Sequence, residues 1–252
     1  MIRGLEVFKE HFASFSGNYV LIGGTACTLA MEEMGLDFRS TKDLDIVLCV
    51  EALETKFIEA FWEFVRAGDY QYQQQSTGKN LFYRFYGPKN FSYPQMLELF
   101  SRKPDAITLR SGGHLTPIPV SDEVSSLSAI LLNDDYYQFI QAGKRKITSL
   151  SILGSTHLIP IKARAYLDLS SQRDSGTHID EHDIRKHRND IFRLYQLLSP
   201  DTRILLPPLI HQDMLMFLEK IKEVPVDLKA IGVRNTDLQS ITTILGRVYC
   251  GR

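Results

Sequence analysis

The chain is 252 residues long, with 44% hydrophobic and 23% charged residues and a formal net charge of −1 at pH 7. That is room for one large domain or two small ones of an ordinary soluble globular protein. It excludes a global basic field, so any nucleic-acid binding must rest on local patches.

The first predicted helix is GLEVFKEHFASF, where Leu5, Phe8, Phe12 and Phe15 fall at helical spacing. YVLI is a short apolar strand ended by Gly23-Gly24, and a helix begins at about Thr25 and stops near Gly35. FRSTK is polar and loop-like, LDIVLCV is a second strand, and EALETKFIEAFWEFVRAG is an amphipathic helix. QQQSTGKN is a predicted turn. LFYRFYG is a strand with period-two polarity at Arg84, and MLELF is an apolar strand carrying one acid, Glu98. AITLRSGGHLTPIPV reads as a hairpin turning at Ser111-Gly-Gly. From Ser121 onward the periodicity is helical, with segments beginning at Val124, His157, His182, Pro207 and Thr236. The three cysteines, Cys27, Cys49 and Cys250, are too widely spaced for a disulfide framework or a zinc site. No apolar run approaches the roughly 18 residues of a membrane span, and no leader is visible. The expected setting is a reducing cytoplasm without a membrane partner.

The chemistry gathers where a buried strand carries acids. Glycines at a strand end let a phosphate approach the backbone closely, because no Cβ intervenes. The helix from Thr25 turns its N-terminal N–H groups and positive dipole end toward an anion, and the Thr25 hydroxyl adds a polar group. Residues two apart on a strand point to the same side, so Asp43 and Asp45 project together. Paired carboxylates repel unless a cation lies between them. Hard, oxygen-ligated Mg²⁺ fits such a pair together with substrate phosphates. Glu98, between Leu97 and Leu99, is an acid inside an apolar strand and needs a partner. A third carboxylate there would complete a two-ion site of the kind that clamps attacking and leaving oxygens. Simpler readings stand beside these. Gly23-Gly24 makes a strand-to-helix turn, Asp43 begins the strand and pairs with Lys42, Glu98 faces water from an edge strand, and Arg39 and Thr41 are solvated loop residues.

Gly-Gly before a helix, then D-x-D on a strand, resembles the nucleotidyltransferase superfamily that includes DNA polymerase β. The local form GGTA…RSTKDLDIVL resembles the AbiEii/AbiGii toxin family, whose pattern is a glycine pair and then Arg-x-Thr-x-Asp-hydrophobic-Asp. Arg39, Thr41, Asp43 and Asp45 match that pattern position by position. The family also carries a Lys on one C-terminal helix and a Lys/Asp motif on the next. Lys162 in IPIKARAYLDL takes the first place, and Lys186 and Asp190 in RKHRNDIFRL take the second. Where the family motif runs Lys-Asp and then a second Asp, this sequence has Arg188-Asn189-Asp190.

The resemblance implies a mechanism. An NTP binds with two Mg²⁺ ions held by Asp43 and Asp45, and Glu98 helps one ion activate an acceptor hydroxyl. Gly23, Gly24 and Thr25 cradle the β- and γ-phosphates, and Lys162 neutralises the triphosphate. The hydroxyl attacks the α-phosphate, and pyrophosphate leaves. Some relatives are toxins that modify tRNA, which brings tRNA as an acceptor and a separately encoded antitoxin as a partner.

The expected architecture is α/β: a nucleotidyltransferase-fold mixed sheet with flanking helices over residues 1–120, then a helical domain over 121–252, with the active site in the cleft between them. Lys162 lies among Ile159, Ala163, Tyr166 and Leu167, and reads equally as a phosphate contact or a snorkelling lysine. The basic runs Lys144–Lys146 and Arg185–Arg188 are either RNA-facing surfaces or a helix-end loop and a solvated face. Two rivals remain. One is a small-molecule nucleotidyltransferase of the aminoglycoside-modifying type, which would want an acidic pocket. The other is a non-catalytic nucleotide-binding module.

Overall fold

Short runs of residues suited to extended backbone become seven strands: β1 (Tyr19–Ile22), β2 (Asp43–Leu48), β3 (Gln71–Ser76), β4 (Leu81–Tyr86), β5 (Met96–Ser101), β6 (Lys144–Ile147) and β7 (Leu150–Leu153). In the computed structural model, which describes residues 2–49, 54–76, 81–101, 130, 133–199 and 201–251, they form one mixed sheet in the order β3-β4-β5-β2-β1-β7-β6. β2 runs parallel to β5 and antiparallel to β1, while β7 runs parallel to β1. The inner strands β1 and β7 are buried along their whole length, as expected where both faces of a sheet are covered.

Three of these strands, β3, β6 and β7, are not read from the sequence. Gln71–Ser76 overlaps the predicted turn, yet it pairs with β4 from Gln71↔Tyr86 to Ser76↔Leu81. Lys144–Lys146, read as either an RNA-facing run or a loop at a helix end, lies in β6, which pairs with β7. Among the described residues β3 and β6 each have a strand on one side only, and such strands tolerate glutamines and consecutive cations. They therefore lack the apolar alternation that marks a strand in sequence. The predicted hairpin over 106–120 and the start of the predicted helix from Val124 lie outside the described residues.

The chain divides into two units. The sheet belongs to the first, Met1–Glu33, Asp37–Val120 and Ile140–Gly154; the second is Met34–Leu36, Ser121–Phe139 and Ser155–Arg252. In the first unit, helices α1 (Leu5–His11), α2 (Gly23–Glu32) and α3 (Thr55–Gly68) flank the strands. The predicted first helix ends at His11 and continues as a 3₁₀ turn, Ala13–Phe15. Between them Phe12, fully buried, packs against Phe8, Phe57 and Phe64 at ring-centroid distances of 4.6, 5.8 and 5.3 Å. Tyr19 of β1 joins the same cluster.

The second unit is helical: α4 (Asp134–Ala142, up to Phe139), α5 (Ser155–Asp174), α6 (Glu181–Tyr195), α7 (Pro208–Ile221) and α8 (Leu238–Cys250). Caps set two starts. Asp180 accepts from the His182 N–H at 2.8 Å ahead of α6, and Asp237 accepts from the Ser240 N–H at 2.7 Å ahead of α8. The buried Asp213 of α7 receives the Tyr136 hydroxyl at 2.6 Å and the Arg164 guanidinium at 3.0 Å, so no lone charge is left in the interior. Burial, reinforced by that carboxylate, pushes the Tyr136 hydroxyl far above its usual range. Among the described residues no helix is long and apolar enough to cross a membrane.

Two outcomes follow from this packing. Phe12→Ala should lower stability by about 3–5 kcal/mol, read as a drop in the urea midpoint without loss of the sheet signal in circular dichroism. His157, packed against Phe139 at 4.4 Å, has its pKa lowered by burial. The unfolded chain then takes up a proton first, near the ordinary value of about 6.5. Its stabilising share is present above that pH and is lost as pH falls below it. The melting-temperature difference between the native protein and His157→Gln should therefore shrink between about pH 7.5 and about pH 5.5.

Candidate functional site

β1 ends in a sharp turn. Gly23 has φ +62°, the left-handed region that a side chain disfavours, and it opens α2. A Cβ at Gly23 would land on the Asp45 carboxylate. One at Gly24 would meet the Thr41 hydroxyl at 2.5 Å. The sequence assigns the glycine pair to phosphate approach; the structure shows it admitting two side chains of the R-x-T-x-D-x-D segment. Thr25 is fully buried and its hydroxyl donates to the Asp43 carbonyl at 2.8 Å, tying the first turn of α2 to the head of β2.

Asp43 and Asp45 alternate with the buried Leu44 and Ile46, so the two acids share the half-buried face of β2. The register continues that face across the sheet. Asp45 stands beside Glu98 of β5, and Glu98 stands beside Arg84 of β4, with adjacent strands about 4.8 Å apart. Glu98 is 7% exposed. Its Oε1 accepts from Arg84 Nη2 at 2.6 Å and Nε at 2.9 Å. Arg84 is a residue that sequence reasoning did not place in the site, although its polarity in an apolar strand was the available signal.

Among the described residues no group of three or more His, Cys, Asp or Glu side chains is gathered as a metal site. The donor set still suits a hard cation. Mg²⁺ takes one or two carboxylates and completes its shell with water and substrate phosphates. Asp43 and Asp45 supply that number on one face, and the Cβ-free Gly23 lets the Asp45 carboxylate lie against the amino end of α2.

The 37–41 segment borders a cavity of about 170 Å³ between itself and α2, lined by Thr28, Glu32, Asp37, Phe38, Arg39 and Thr41 among others. Arg39 lies over the Phe38 ring at 5.4 Å, and its Nη1 donates to the Ser40 carbonyl at 3.4 Å.

In the helical unit, Lys162 is 5% exposed and pairs with the fully buried Asp190 at 3.0 Å; Arg193 reaches the same carboxylate at 3.4 Å. The structure thus brings Lys162 of α5 and Asp190 of α6 together. Lys186 is paired with Asp183 one turn earlier at 4.0 Å. The run Arg185–Arg188 is not one basic face. Arg185 is exposed, whereas His187 and Arg188 are buried, because successive helical residues point about 100° apart. Burial lowers the Arg188 pKa. In the sheet unit, Lys144 donates to the Gly17 carbonyl at 2.9 Å and Arg145 pairs with Glu33 at 2.7 Å.

No family model matches the chain, and no curated protein does. Two solved structures are similar in fold. One is the crystal structure of an antigenic nucleotidyltransferase-like protein from Paracoccidioides brasiliensis, with a TM-score of 0.42 and 15% identity over 89% of this chain and 88% of that one. The other is the Megavirus polyadenylate synthase, with a TM-score of 0.41 and 12% identity over 87% of this chain. The match spans 36% of the synthase's own length.

The Lys162–Asp190 pair makes a sharp prediction. Lys162→Met leaves the fully buried Asp190 to the longer Arg193 contact and should cost about 3 kcal/mol in urea denaturation, whereas a Lys162→Met/Asp190→Leu double variant should recover part of it. Unchanged stability with lost NTP binding would mean that the ammonium serves a phosphate instead.

Proposed function

We propose that the chain is an Mg²⁺-dependent nucleotidyltransferase that moves a nucleoside monophosphate from an NTP to an acceptor hydroxyl and releases pyrophosphate. One observation carries the proposal. The Asp45 carboxylate lies over the Cβ-free Gly23 at the amino end of α2, with Asp43 and Glu98 on the same sheet face.

Each residue has a task in this proposal. Asp43 and Asp45 would hold the divalent ions, with Glu98 as the neighbouring carboxylate on β5. The N–H groups that open α2 favour an anion at Gly23-Gly24. Arg39 and Thr41 line the approach from the 37–41 segment. Bound Mg²⁺ supplies charge neutralisation at the phosphates and activation of the hydroxyl. Lys162 and Asp190 enter as a mutually neutralising pair, and Lys186 as a more exposed cation on the same helix as Asp190.

The complete Arg39-x-Thr41-x-Asp43-x-Asp45 segment supports the finer proposal of an AbiEii/AbiGii-like enzyme, with tRNA as acceptor and a separately encoded antitoxin as partner. A small cationic acceptor is the second proposal. It is favoured by the carboxylates of Glu32 and Asp37 on the cavity beside Thr41, and by the internal pairing of Lys144 and Arg145, which leaves less basic surface for RNA.

The test is transfer of label from each α-³²P NTP, with Mg²⁺, to total tRNA or to aminoglycosides, for the native protein and an Asp43→Ala/Asp45→Ala variant. Label on tRNA with the native protein alone is the expected result, with a loss of at least about a thousandfold in the variant. Label on the small cation instead selects the second acceptor. Absence of both transfer and Mg²⁺-dependent NTP binding, with the variant merely less stable, would make the two aspartates structural.

A further inference from the structure

We propose that Arg84 is a positioning residue that fixes the Glu98 carboxylate beside Asp45 for nucleotide transfer; this rests on the function proposed above. Three observations converge on it. Arg84, Glu98 and Asp45 occupy one transverse row across β4, β5 and β2. Both Arg84 donors close on a single oxygen, Oε1, at 2.6 and 2.9 Å. The Glu98 side chain is 9% exposed, so its charge is largely removed from solvent and is met by the guanidinium.

The physical need is plain. Asp45 and Glu98 are like charges on adjacent strands, an arrangement that is destabilising without compensation. A carboxylate in that position turns away from its neighbour unless a cation holds it. The guanidinium grips Oε1 from β4, which lies on the opposite side of β5 from β2 and Asp45. An arginine suits this because its planar fork presents two donors in fixed geometry, which an ammonium does not. Among the described residues Arg84 is the group that engages Glu98. Such outer partners of a ligand carboxylate typically matter by 10- to 100-fold in metal affinity.

The experiment uses the full chain and Mn²⁺ as the probe, with free ion measured by electron paramagnetic resonance and folding by thermal melting. Arg84→Gln and Glu98→Gln should each weaken Mn²⁺ binding about tenfold or more. The double variant should bind no worse than Glu98→Gln alone, because Arg84 acts through Glu98. Arg84→Lys keeps the charge and should fall between native and Arg84→Gln, which also preserves the test if Arg84→Gln fails to fold. In transfer assays the loss should appear in kcat with KM for the NTP little changed. Native-like Mn²⁺ binding in both Arg84 variants, no effect of Glu98→Gln, or fully multiplying losses in the double variant would each overturn the role of Arg84. A native protein that binds no Mn²⁺ with NTP present would instead overturn the nucleotidyltransferase proposal, a result distinct from binding that needs Asp45 but ignores Arg84.

Discussion

A carboxylate can lie over residue 23 only because that residue has no side chain, and much of the candidate site depends on this contact. Antiparallel pairing sets Ile22 opposite Asp45, so the strand end of β1 and the acid of β2 meet at one level of the sheet. Gly23 then turns the chain through a left-handed conformation into α2. The next glycine admits Thr41, and the Thr25 hydroxyl reaches the Asp43 carbonyl. Three consecutive residues of one helix start thus fix three residues of the acid-bearing segment. The positive end of the α2 dipole is brought to the same place.

Two fully or nearly fully buried acids lie in the helical unit. Asp190 is closed off by Lys162 and Arg193, and Asp213 by Arg164 and Tyr136. Each is an interior charge with its compensation built in, as low-dielectric surroundings require. Asp43 and Asp45 sit half-buried on a strand face, and the Asp45 carboxylate fills the space that the missing Gly23 side chain leaves. Glu98 stands between these two types. It is as buried as a structural acid and carries a guanidinium, yet its register puts it on the row of Asp45.

The same comparison changes the weight of the basic segments. A run of cations in sequence looks like a surface for RNA. Helical geometry disperses Arg185–Arg188 around α6, and strand pairing sends Lys144 and Arg145 to partners within their own unit. What remains exposed is less than the sequence count suggests.

Sequence alone determined the apolar strands β1, β2, β4 and β5, the amphipathic α3, the helices from His157 onward and the grouping of Gly23, Gly24, Thr41, Asp43 and Asp45. Each rests on local periodicity or on spacing within one short segment. The strands β3 and β6 were invisible because their polar residues lack alternation, and β7 because four residues are too short to set a period. The Arg84–Glu98 row, the Lys162–Asp190 pair and the use of Gly23 by Asp45 were decided only by tertiary structure. Residues far apart in the chain meet through strand order and helix packing, and no local pattern records which strand lies beside which.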